Sequence, residues 1–122
     1  DTGDYLVRNL TGIDPDQRLI AIGEYVNAGD SIMFCRRDHE SAVEDMRRML
    51  GDLRQRAGNA PIRGGLYFSC CARGPNQFGD NSEELGLIAD ELGAFPLVGF
   101  FANGEISNNR LYGYTGVLTL FL

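Results

Sequence analysis

The spacing of apolar residues changes along this chain, and that change limits the fold more than any other feature. From Asp4 to Leu10 apolar and polar residues alternate, the period of a half-buried strand. From Asp38 or Ser41 onward they recur every three or four residues, at Val43, Met46, Met49 or Leu50, Leu53 and Ala57, the period of a helix with one buried face. Beyond Gly58 short apolar runs return, separated by Gly, Pro and Asn. Strands first, then strands alternating with helices, predict an α+β domain.

Three strands are expected before the first helix, at Asp4 to Leu10, Arg18 to Val26 and Ser31 to Arg36. The Thr11 to Asp16 and Asn27-Ala28-Gly29-Asp30 segments separate them, and together they predict an antiparallel meander. The helix that follows carries Glu40, Glu44 and Asp45 early and Arg54 and Arg56 late, each sign where the helix dipole favours it. Ser41 with Glu44 forms a capping-box pattern and Gly58 a stop.

Gly65 to Cys71 reads as an apolar strand and Arg73 to Asn81 as a loop. A second helix starts near Ser82, with Leu85, Ile88, Ala89 and Leu92 on one face, and ends at Gly93 with Pro96 just beyond. Phe95 to Ala102 and Leu111 to Leu122 are the last strands, joined by the polar stretch Asn103 to Arg110. The order β-β-β-α-β-α-β-β gives a mostly antiparallel mixed sheet with two helices, in one domain over residues 1–122 with one core. The second helix predicts that the strands at Leu66 to Cys71 and Leu97 to Ala102 pair in parallel.

Composition excludes several function classes. With 43% hydrophobic and 23% charged residues in 122, the chain lies outside the regime that stays disordered. A formal net charge of −6 argues against nucleic acid and against anionic membrane surfaces as partners. All eleven cationic side chains are Arg, so chemistry that needs a lysine is unavailable and guanidinium groups do any cationic work.

Cys35, Cys70 and Cys71 are an odd set with one adjacent pair, a poor disulfide framework that suits a reduced cytoplasm. No zinc-ligand spacing appears, and the lone histidine, His39, stands between Asp38 and Glu40 with no Ser or Cys partner in a strand-turn-helix elbow. No metal, haem or other cofactor is therefore expected. No apolar run approaches the roughly 20 residues that span a bilayer, and Asp1-Thr2-Gly3 opens no export signal, so a cytoplasmic location is expected. The absence of an initiator Met suggests a piece of a longer protein.

A parallel pair joined by a helix sends both strand ends out of the sheet at one edge, where α/β folds tend to hold ligands. Ser69-Cys70-Cys71-Ala72-Arg73-Gly74 and Asn103-Gly104-Glu105 would leave together there, joined by Asn81. Two readings of Arg73 and Glu105 stand: the cation and anion that grip a zwitterion such as an amino acid, or a salt bridge or solvated charges. Cys70 and Cys71 are either a redox or sensing pair or small buried hydrophobes, and Cys35 reads as core. Gly64, Gly65, Gly99 and Gly104 suit either close ligand approach or turns and strand packing.

Several of these segments together resemble one family. Gly65-Leu66-Tyr67-Phe68-Ser69-Cys70, then Ala72-Arg73-Gly74 and Phe78-Gly79, then Phe95-Pro96-Leu97-Val98-Gly99-Phe100-Phe101-Ala102-Asn103-Gly104-Glu105-Ile106 resemble the C-terminal domain of FIST (F-box and intracellular signal transduction) proteins. Asp4-Tyr5-Leu6-Val7-Arg8 resembles the start of that domain. The resemblance implies a non-catalytic intracellular sensory domain that binds a small polar ligand, possibly an amino acid. Its partners would be a preceding FIST N-terminal domain and a signalling output protein, such as a histidine kinase, a cyclic-dinucleotide enzyme or a chemotaxis receptor. Cys70, Arg73, Gly74, Asn103, Gly104 and Glu105 are the expected ligand-binding residues.

Two departures stand out: Cys71 where the family has a small residue, and Tyr112-Gly113-Tyr114-Thr115 in place of an approach to the last strand that contains His or Asn. The alternatives are an interaction or dimerisation module that docks a partner domain and, third, a thiol-based enzyme or redox sensor.

Overall fold

The computed structural model describes residues 5–122 and divides the chain into two compact units, Asp1–Cys35 and Arg36–Leu122. The first unit holds one antiparallel hairpin, β1 (Leu10–Asp14) with β2 (Leu19–Ile22), whose register is interrupted between Leu10 and Gly12. Its turn is fixed locally: the Asp14 carboxylate accepts the Gln17 N–H at 2.9 Å and Arg18 takes a positive φ of 57°. Arg8 pairs with Glu24 at 2.9 Å across the hairpin base, where the Tyr25 N–H and Arg8 hold the Glu24 carboxyl below its ordinary pKa.

The three-stranded meander is therefore a two-stranded hairpin. Of the first expected strand Asp4 lies outside the described residues, Tyr5 to Asn9 form no strand, and pairing begins only at its last residue, Leu10, and runs on through what reads as a loop. Ser31 to Arg36 is not a strand either, and Cys35 is exposed, not core. The reason is the same throughout: alternation stabilises a strand only when a ladder partner and an apolar surface are present, and no described residue of this unit is buried.

In the second unit α1 (His39–Ala57) begins on Asp38, whose carboxylate accepts the Ser41 N–H at 3.0 Å. That bond, with Arg36 second, holds the Asp38 carboxyl below its ordinary pKa, so the cap lies three residues before the Ser41–Glu44 box. Gly58, at φ 61°, closes the helix through its N–H to the Arg54 carbonyl. Ala42, Met46 and Leu50 are buried, one strict i, i+4 stripe, with Val43 and Met49 half-buried at its margin.

Then follow β3 (Gly64–Cys70), the single turn α2 (Pro75–Phe78), α3 (Glu83–Leu92), β4 (Leu97–Ala102), β5 (Glu105–Ser107), β6 (Arg110–Tyr112) and β7 (Gly116–Phe121). One sheet has the order β4-β3-β7. As expected, β3 and β4 are parallel neighbours, in register from Gly65 opposite Leu97 to Cys70 opposite Ala102, while β7 pairs antiparallel with β3. The fold is α+β with mixed and antiparallel sheets.

The β5–β6 hairpin falls in the stretch read as a polar connection. Ile106 opposite Leu111 pairs it, and Asn108 at φ 55° makes its turn, a left-handed conformation that Asn tolerates. α3 begins at Ser82 as expected, but its buried stripe is Glu84, Leu87 and Ile88. Leu85, placed on the apolar face by its period, is exposed.

Met46, Leu50, Tyr67, Phe78, Leu87 and Ile88 form the core between the helices and one face of the sheet. Strand alternation puts Gly65, Tyr67 and Ser69 on that face, with their register partners Leu97, Gly99 and Phe101 on β4 and Leu118 and Leu120 on β7. Gly99 is required there, because a Cβ at that position would overlap the Tyr67 backbone carbonyl.

Candidate functional site

Glu84 is a carboxylate on the apolar stripe of a helix, 4% exposed, and such a group is costly to bury without partners. Three donors satisfy it. Tyr67 Oη donates to Oε1 at 2.7 Å, Ser69 Oγ lies 3.1 Å from both oxygens, and Arg73 Nε donates to Oε1 at 2.9 Å. Strand period two puts Tyr67 and Ser69 on one face of β3, and the turn after β3 brings Arg73 back under them.

The Arg73 side chain is only 12% exposed. Its guanidinium lies 4.8 Å over the Phe78 ring and donates to the Tyr114 carbonyl at 3.4 Å. Burial is the main cause that pushes the Tyr67 phenol above its ordinary pKa of 10.0, so it remains a protonated donor at neutral pH.

Beside this cluster a cleft of about 740 Å³ runs between α3 and β4. Phe78, Leu85, Ile88, Phe95, Leu97 and Phe101 supply its apolar walls, with Tyr67, Ser69 and Glu84 at its polar end and the loop after α3 at Gly93 and Ala94 along its rim. Gly74 narrows one end. It sits at φ 50°, and a Cβ on it would meet the Phe101 ring at 2.7 Å. The volume lies within the several hundred Å³ typical of small-molecule sites.

The six residues expected to bind ligand divide into two groups. Cys70, buried, ends β3, and Cys71, exposed, follows it and donates its N–H to the Ala102 carbonyl at 2.7 Å, so the two strands do leave the sheet at one edge. Of the adjacent thiols only Cys70 behaves as a buried hydrophobe. Arg73 and Gly74 turn back toward the cleft. Asn103 is exposed, and Gly104 adopts φ 146° beside Leu111.

Glu105 is 3% exposed. Its Oε2 accepts from Thr115 Oγ1 at 2.8 Å, and its Oε1 has no partner among the described residues. Arg73 and Glu105 thus reach adjacent residues, Tyr114 and Thr115, without an ion pair between them, and the carboxylate that grips Arg73 is Glu84. Sequence reasoning missed Glu84 and Tyr67, and placed Ser69 at the shared strand edge without a role. The available signal was a carboxylate three and four residues before Leu87 and Ile88, on their own face of α3.

His39 is exposed at the start of α1. Its ring lies 3.1 Å from the Gln77 carbonyl through Nδ1 and 3.5 Å from Glu83 through Nε2. Among the described residues no group of three or more His, Cys, Asp or Glu side chains could hold a metal ion, and no helix is long and apolar enough to cross a membrane.

The FIST C domain model matches residues 1–108. The uncharacterized protein Rv0628c of Mycobacterium tuberculosis is 40% identical over 98% of this chain, which covers 32% of the relative. The uncharacterized protein Mb0898c of Mycobacterium bovis is 37% identical over the same share of the chain and again 32% of its own length. The chain thus spans about a third of the length of these curated relatives. No solved structure matches it.

Proposed function

Because this chain belongs to the FIST C domain family, a domain associated with signal transduction, we propose that it is a non-catalytic small-molecule-binding domain whose ligand enters the cleft between α3 and β4. The observation that carries this reading is the apolar cleft ending on polar groups that are already bonded to one another. A ligand there gains mostly from burial of an apolar body, while Tyr67, Ser69 and Glu84 at the cleft end remain satisfied by their own hydrogen bonds.

The same geometry disfavours catalysis. The carboxylate in the cleft is engaged by three donors, the phenol stays protonated, and the lone imidazole of His39 faces Gln77 and Glu83. An amino acid remains a suitable ligand class, narrowed toward those with apolar or aromatic side chains. A zwitterion held between Arg73 and Glu105 is disfavoured, since Arg73 is committed to Glu84.

A thermal-shift screen of the common amino acids tests the reading. Apolar and aromatic members should raise the Tm in a concentration-dependent way, and glycine and serine should not. A response to none of them, or equally to all, would sink the proposed ligand class.

A further inference from the structure

The other face of the β4-β3-β7 sheet carries Leu66 and Phe68 of β3, Val98 and Phe100 of β4, and Val117, Thr119 and Phe121 of β7, all brought onto one side by the register. Val98 and Phe100 are each 66% exposed and Phe121 is 51% exposed. Phe68 and Phe100 contact edge to face at 5.0 Å, so the patch is ordered by its own side chains.

No charged residue stands among these seven positions. A sheet face that meets water normally alternates to polar residues. These strands, read as Leu66-Tyr67-Phe68, Leu97-Val98-Gly99-Phe100-Phe101 and Val117-Leu118-Thr119-Leu120-Phe121, are instead near-continuous apolar runs, the composition of strands buried on both sides. β4 is also an edge strand without Lys, Pro or any charge to discourage pairing.

We propose that this open face is a docking surface for another domain of the same polypeptide, which packs on it as the second layer of a sandwich. The relatives carry about two-thirds of their length outside the part this chain matches, enough for at least one further domain. A tethered domain meets the face at a far higher effective concentration than a second copy does. The occupant is therefore a domain with an apolar sheet or helix face of its own and few charges at its centre. Val98 and Phe100 also line the cleft, so the test below reads domain packing through Tm and proteolysis and not through ligand binding.

The test uses Val98→Glu/Phe100→Glu in two settings: the 122-residue chain, and Rv0628c in which the aligned third is replaced by this chain. In the short chain both positions are exposed, so its Tm should hold. In the long polypeptide the buried charges should lower the Tm by more than about 5 °C and open a protease-sensitive site between the domains. A milder pair, Val98→Thr/Phe100→Thr, should give the same contrast with smaller shifts if the glutamates prevent folding.

Equal Tm changes in both settings for both pairs would overturn the proposal. So would light scattering that shows the short chain as a discrete dimer broken by the glutamates, because a second copy would then be the occupant.

Discussion

The two faces of the β4-β3-β7 sheet start from similar strands and end in opposite conditions. On the helix side, Tyr67 and Ser69 are buried and bond to Glu84, and Leu97 and Leu118 pack against the core. On the other side, Leu66, Phe68, Val98 and Phe100 have no helix over them. The difference shows that burial in this unit depends on which face α1 and α3 reach. Hydrophobicity alone does not decide it, and a polar cluster can occupy the covered face once each member has a partner.

The largest break in that contrast is expected from Glu84→Ala. It strips the acceptor from Tyr67, Ser69 and Arg73 at once and leaves a guanidinium unpaired in the interior, a loss on the order of 3–5 kcal/mol. Urea unfolding measures it, and a change under about 1 kcal/mol would mean that the cluster is far wetter than its geometry implies. Leu50→Ala, at a fully buried site on α1, should cost about 2–5 kcal/mol through the cavity it leaves.

Tyr67→Phe should cost less, about 1–2 kcal/mol, because it removes one hydrogen bond and keeps the ring. It should also change the alkaline limb of stability. The folded state raises the Tyr67 pKa, so this contribution is complete below pH 10.0 and fades as pH rises above it, when the unfolded chain loses the proton first. Wild type should therefore lose stability above that pH faster than Tyr67→Phe, which urea midpoints at successive pH values would reveal. The smallest effect is expected from Val98→Thr in the 122-residue chain, within about 0.5 kcal/mol, since that side chain already meets water.

Legibility followed the same divide. The parallel β3–β4 pair, the Ser82 start and Gly93 end of α3, and the Gly58 stop of α1 were readable because glycine caps and helical period are local signals. The meander was not. Ile32-Met33-Phe34-Cys35 has strand composition, but pairing is nonlocal and the residues that would supply a partner are not marked in the sequence.

At the candidate site the shared strand edge was legible and the partner of Arg73 was not. Glu84 lies 11 residues from Arg73 on another element, and only the rotation of α3 that buries Leu87 in place of Leu85 turns it inward. Glu105 stood out as a charge at a strand edge. Its burial beside Thr115 depends on the β5–β6 hairpin, which the polar residues Asn103 to Arg110 concealed.

The cleft between α3 and β4 is proposed to take a ligand with an apolar body. Ala89 lines the cleft from an exposed position on α3, so Ala89→Trp should fill the space without disturbing the core. Titration of L-phenylalanine into isotopically labelled chain, followed by amide NMR, should move the signals of Ser69, Leu85, Ala89 and Gly99. In Ala89→Trp, with an unchanged Tm, the same titration should leave the corresponding signals still. Shifts confined to residues away from the cleft, or equal shifts in both proteins, would contradict the claim.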